Sequence, residues 1–125
     1  MVKDEATPLV IDIAKSFISL VRGIEPNWRK AYLRFCSQNS VSEAKGSYVR
    51  ESGVEIIDVL KHKNFFHPIS KKGQDLLAAV GKSEGLFLLV TDSNFDYEIK
   101  FEYQDMNRWR ISKLAGGSGI PEGME

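Results

Sequence analysis

The sequence predicts an α+β domain with element order α-β-β-β-α-β-β, its sheet mostly antiparallel and its helices packed on one face. Three observations carry this. One segment near the N-terminus repeats apolar residues at helical spacing. Two others, residues 28–36 and 95–103, alternate apolar and polar residues with a period of two. The connections between runs are short and polar, which suits hairpins rather than crossovers.

The helical stripe is Leu9, Val10, Ile13, Phe17, Leu20, Val21 and Ile24. Thr7 is placed to cap it and Pro8 to occupy its first turn; Gly23 is placed to end it and Pro26 to prevent its return. In WRKAYLRFC, residues 28–36, Ala31, Leu33 and Phe35 share one strand face, and Lys30, Tyr32 and Arg34 the other. Residues 37–46 read as a polar connection, and Ser47 to Arg50 as a short strand. Glu51, Ser52 and Gly53 read as a turn. VEIIDVL, residues 54–60, is β-branched and reads as a third strand. Ser70 is placed to cap a second helix running to about Val80, which Gly73 weakens and Gly81 ends. Leu86 to Thr91 is a continuous apolar strand, Asp92-Ser93-Asn94 a turn, and residues 95–103 the returning strand. Phe95, Tyr97, Ile99, Phe101 and Tyr103 face one way on it; Asp96, Glu98, Lys100 and Glu102 face the other. Trp109 to Leu114 reads as a last short strand or a packed tail. Residues 1–114 form the domain, and 115–125 a flexible Gly-rich tail.

The chain has 125 residues, the length of one domain. Its 17 basic and 17 acidic residues cancel, which argues against a dedicated nucleic-acid or anionic-membrane binder, whose affinity needs excess Lys and Arg. A single cysteine, Cys36, excludes an internal disulfide and suits a reducing compartment. Acids interrupt the N-terminal segment where a secretory signal would be apolar, and no run is long enough to span a bilayer, so the expected location is the cytoplasm.

Chemistry is sparse. Cys36 with His62 or His67 is the one conceivable nucleophile and base, but a cysteine late in a strand is more often a packing residue. Two histidines and one cysteine make no metal-ligand motif. Asp92, Asn94 and Asp96 take the first, third and fifth places of a calcium loop, but Tyr97 and Tyr103 stand where Gly and Glu are needed. Gly116 to Gly119 is no phosphate loop, because no helix follows. No catalytic residue, cofactor or metal is implied, and the expectation is a protein that is not an enzyme.

Charge distribution says more. Asp92, Asp96, Glu98, Glu102 and Asp105 stand within one hairpin with a single Lys, and an acidic surface of this kind steers and selects a basic protein partner. The opposite patch is Lys61, His62, Lys63, Lys71 and Lys72, interleaved with Phe65 and Phe66. Basic residues with aromatics can bind single-stranded nucleic acid, so a small nucleic-acid-binding module using Lys61 to Lys72 is the alternative reading.

Pro26, Trp28, Lys30 and Tyr32 lead from the helix into the first strand, and Leu86 to Tyr103 ends in alternating aromatics and acids followed by Gln104 and Asp105. In these segments the chain resembles the YezG-like immunity proteins. Where that family carries Gly in the hairpin turn, Asn94 or Phe95 stands here; residues 37–80 and 115–125 lie outside the resemblance. The resemblance implies a cytoplasmic antitoxin that binds one cognate toxin domain, one to one, and neutralises it. Such toxins belong to contact-dependent growth inhibition and related polymorphic toxin systems, and many are nucleases. A basic nuclease would suit an acidic contact surface made of Asp92, Asp96, Glu98, Glu102 and Asp105. A homodimer is also compatible with an exposed sheet face or edge.

Overall fold

In the computed structural model, which describes residues 2–125 and the side chains from Glu5 on, a five-stranded antiparallel sheet has two helices on one face. The elements are α1 (Val2–Ile24), β1 (Lys30–Gln38), β2 (Val41–Arg50), β3 (Gly53–Ile56), α2 (Lys63–Ala79), β4 (Gly85–Asp92) and β5 (Tyr97–Glu102). Strand order across the sheet is β3-β2-β1-β4-β5. The α+β class and the order α-β-β-β-α-β-β are those expected.

Several boundaries differ. α1 begins before Thr7 and contains Pro8, whose fixed φ already suits a helix; Gly23 lies inside its last turn. Ala6, Ile13, Ala14, Phe17 and Val21 are its buried face: three residues of the stripe read from the sequence and two alanines, with Leu9, Val10, Leu20 and Ile24 half-buried beside them. Residues 37–46 are not a connection. They finish β1, turn at Asn39 and Ser40, and begin β2. Both turn residues have positive φ, 55° and 64°, the backbone of a tight hairpin turn matched to strand twist. The strand read at Ser47 to Arg50 is the second half of β2; its first half escapes sequence recognition because it is largely polar and exposed.

The third strand stops at Ile56 rather than at residue 60. The Asp58 carboxylate accepts from the Leu60 backbone N–H at 2.9 Å and starts a 3-10 turn, Val59–His62, that runs into α2. α2 therefore begins at Lys63, not Ser70, with Pro68 inside it. This makes the basic segment largely helical. Gly73 is a packing requirement rather than a weakness: a Cβ there would lie 2.5 Å from the Phe35 ring.

The core between helices and sheet contains Phe17, Ala31, Leu33, Phe35, Ile69, Leu76, Leu77, Phe87 and Leu89. Phe35 and Phe87 stack across β1 and β4 at 5.2 Å between centroids. The second face of the sheet is covered by the C-terminal segment. Met106, Trp109, Ile111, Ile120 and Met124 pack there on Tyr32, Cys36, Leu86, Leu88 and Val90. β1 and β4 are thus buried on both faces, which is why β4 reads as an unbroken apolar run. Residues 115–125, expected as a flexible tail, belong to this cover. Gly119 N–H donates to the Ser112 carbonyl at 3.1 Å and Glu122 N–H to the Arg110 carbonyl at 2.9 Å. Trp109 to Leu114 forms no strand and is packed tail.

No described helix is long and apolar enough to cross a membrane.

Candidate functional site

The β4–β5 hairpin forms one edge of the sheet, and its backbone explains where its acids stand. Asp92 N–H donates to the Asp96 carbonyl at 3.1 Å, and Phe95 N–H to the Asp92 carbonyl at 2.9 Å. Phe95 has φ 69°. This is a three-residue loop whose last residue takes the left-handed conformation, a place that favours Gly. Phe95 is therefore a turn residue, not the first residue of the returning strand.

The five acids are spread along the hairpin. Asp92 and Asp96 are at the tip, Glu98 is midway, and Glu102 and Asp105 are at the base; the six residues of β5 span about 20 Å. Three of the five carboxylates bond within the hairpin and the segment after it. Asp92 Oδ1 accepts from the N–H groups of Asn94 (2.9 Å) and Asp96 (3.3 Å). Glu102 Oε1 accepts from Arg108 Nη1 at 2.7 Å, and its Oε2 accepts from the N–H groups of Gln104 and Asp105. The Arg108 guanidinium, helped by those two amides, lowers the Glu102 carboxyl to about 2. Asp105 Oδ1 accepts from Asn107 N–H at 3.0 Å.

Asp96 and Glu98 remain outward. Both are exposed. Among the described residues the Asp96 carboxylate has no partner, whereas Glu98 stands 3.9 Å from Lys100. Beside them are two exposed aromatics, Phe95 at 49% and Tyr97 at 43%. The Arg22 guanidinium lies over the Phe95 ring, 5.1 Å from its centroid. Two hollows flank the tip. One, of about 280 Å³, lies between Lys30, Asp92, Asp96 and Glu98. The other, of about 480 Å³, is lined by Arg22, Pro26, Trp28 and Phe95. The tip thus offers one free carboxylate, two aromatics and two concavities, a composition suited to protein contact.

Sequence reasoning passed over Phe95 as a site residue. The missing turn glycine was the available signal. Arg34 and Arg108 were also missed: the carbonyls that Arg34 serves lie far along the chain, and Arg108 meets Glu102 only through the turn that follows β5.

The other candidates separate. Cys36 is buried on the sheet face opposite α2, whereas His62 and His67 belong to the helical side, so no cysteine–histidine pair forms. Burial also pushes the Cys36 thiol up, away from the thiolate. Among the described residues no cluster of His, Cys, Asp or Glu is arranged to hold a metal ion. In the basic segment, Lys61, His62 and Lys63 line an open groove of about 660 Å³ with Ser16, Ser19 and Leu20. Lys71 pairs with Asp75 at 2.9 Å and Lys72 with Asp12 at 3.1 Å. Phe66 is buried, whereas Phe65 packs on Phe17 and Phe66 and is half-buried at the wall of that groove.

Compared with protein-family models and with curated proteins, the chain matches none.

Proposed function

We propose that this chain is an immunity protein: a non-enzymatic, cytoplasmic inhibitor that binds one cognate bacterial toxin domain and neutralises it. The observation that carries the reading is Phe95, half-exposed and held in left-handed backbone beside the unpartnered Asp96. An aromatic in that conformation costs about 1 kcal/mol or more, and such strain concentrates at binding sites. The resemblance of the two segments around Trp28 and Phe101 to the YezG-like immunity proteins supplies the class of partner. An anionic tip suits a basic toxin such as a nuclease, which must itself hold phosphates. Asp96 and Glu98 are the contact carboxylates in this reading; Asp92, Glu102 and Asp105 shape the hairpin that carries them.

The test is co-expression with the product of the adjacent reading frame, tagging one chain only. A stable complex is expected, with toxicity when this chain is omitted. Asp96→Lys should then weaken the complex about tenfold to a few hundredfold without altering folding. A complex that forms equally well with Asp96→Lys would remove the tip from the interface. The absence of both complex and toxicity would overturn the immunity reading itself.

A further inference from the structure

β5 is an edge strand, and its outer side is the longer of the sheet's two unpaired edges: six residues against four in β3. The Asp92–Asp96 bond fixes which groups point outward. By the alternation of an antiparallel ladder, Glu98, Lys100 and Glu102 turn their N–H and C=O groups to β4. Tyr97, Ile99 and Phe101 turn theirs to the free side. Their side chains point to the helical face, whereas Glu98 and Lys100 share the other face.

We propose that two copies of this chain pair antiparallel along β5, about a two-fold axis through Ile99, to form a continuous ten-stranded sheet. In this register Tyr97 stands opposite Phe101 of the second copy. Glu98 stands opposite Lys100 of the second copy, and Lys100 opposite its Glu98. The charged pairs fall at the non-hydrogen-bonded positions of the new ladder, where side chains approach most closely. Within one chain Glu98 and Lys100 are 3.9 Å apart, with side chains 61% and 39% exposed, so both can turn to a partner strand.

Neighbouring registers are worse. Centring the axis on Lys100 sets Lys100 against itself and Glu98 against Glu102. Centring it on Glu98 sets that carboxylate against itself. Centring it on Phe101 needs strand beyond Glu102, where the chain has already turned, with Gln104 and Asp105 N–H bonded to the Glu102 carboxylate. In the Ile99 register the one like-charged pair, Asp96 with Glu102, falls at the strand ends, and Arg108 neutralises Glu102. A charged residue on an edge strand ordinarily blocks pairing. Here Lys100 and Glu98 each disfavour the register that sets it against its own copy, and together they favour the one between. The pairing leaves Phe95 outside the ladder but engages Glu98; it is argued from the strand edge alone and does not rest on the toxin reading.

Sedimentation equilibrium of the full chain tests this, with circular dichroism to confirm that each variant is folded. The wild-type chain should give twice the chain mass, and the dimer should weaken on dilution. Lys100→Glu sets carboxylate against carboxylate in both cross-strand pairs and should raise the dimer dissociation constant on the order of tenfold or more. Glu98→Lys should do the same through two Lys–Lys contacts. The exchanged double variant, Glu98→Lys with Lys100→Glu, restores both opposite-charge pairs and should restore the dimer. A wild-type monomer at every soluble concentration overturns the proposal. So does a dimer indifferent to Lys100→Glu, or a double variant no better than the singles.

Discussion

Arg34 Nη2 donates to the Met106 carbonyl at 2.7 Å, from a side chain buried on the covered face of the sheet. Its Nε donates to the Arg108 carbonyl at 2.9 Å, and Nη1 reaches Glu43 at 3.4 Å. A strand residue in the middle of β1 thereby fixes the first turn of the C-terminal cover. It also orients Arg108, which holds Glu102 at the base of the hairpin. Arg34→Met keeps much of the volume and leaves two carbonyls without their donors. The expected loss is about 2–4 kcal/mol in urea unfolding. Arg34→Lys should recover little of it, because a single ammonium cannot reproduce the fork that serves two carbonyls. A loss within about 0.5 kcal/mol, the range of ordinary surface substitutions, would show that the clamp contributes little.

Glu102 gives the fold a pH dependence of known sign. Its folded value lies at about 2 against an ordinary 4.5, because the carboxylate accepts from Arg108 and from two backbone amides. Above pH 4.5 the carboxylate is ionised folded and unfolded, and its contribution is complete. As pH falls from 4.5 towards 2 the unfolded chain takes up the proton first, so this contribution is lost. Glu102→Gln removes the titration. The urea midpoint of the variant should therefore change less between those two pH values than that of the parent. Equal slopes would mean that Glu102 is not held as described.

Gly73→Ala should destabilise, although Ala is the better helix former by about 1 kcal/mol. The added methyl would meet the Phe35 ring at 2.5 Å, and Phe35 is fully buried and stacked on Phe87. Overpacking of this kind costs about 1–3 kcal/mol, enough to reverse the propensity gain. In a Phe35→Leu background the clash is relieved, and the same substitution should become neutral or favourable. The four-variant cycle in urea measures this coupling directly.

The parts of the fold that were legible are those in which each strand or helix face has a single environment. Phe17 and Val21 mark a helix stripe, and Ile99 and Phe101 mark a strand face, because each set buries one side against the same layer. The first half of β2 was not legible. Ser42, Glu43 and Lys45 carry no apolar alternation, and its register comes from the Asn39-Ser40 turn and from pairing with β1. The start of α2 was hidden by Pro68 and by a 3-10 turn capped from Asp58. The cover on the second face was hidden for a different reason. Ile120 and Met124 are isolated apolar residues among glycines, and only β1 and β4, doubly buried, show what they rest on. For the candidate site, the acids were legible as a group but their roles were not. Asp92 and Glu102 bond backbone N–H groups two to four residues away, and composition does not reveal which carboxylates are so occupied.

Phe95→Gly separates folding from binding more sharply than any charge reversal. The residue sits at φ 69°, where Gly carries no steric penalty and a larger side chain does. Its ring is half exposed and rests on Arg22, so little apolar burial is lost on truncation. Glycine raises the entropy of the unfolded chain, which offsets part of the gain. The net expectation is stability unchanged or raised by up to about 1 kcal/mol in urea unfolding. If the tip is the contact surface, the same variant should weaken the toxin complex by about 2 kcal/mol or more, the loss typical of an aromatic anchor removed from a pocket. A natural turn position that would be more comfortable as glycine, yet holds phenylalanine, is then explained by the partner rather than by the fold. A variant that loses stability and binds its partner as tightly as the parent would reverse both halves: Phe95 would be a structural residue, and the contact surface would have to lie elsewhere on the molecule.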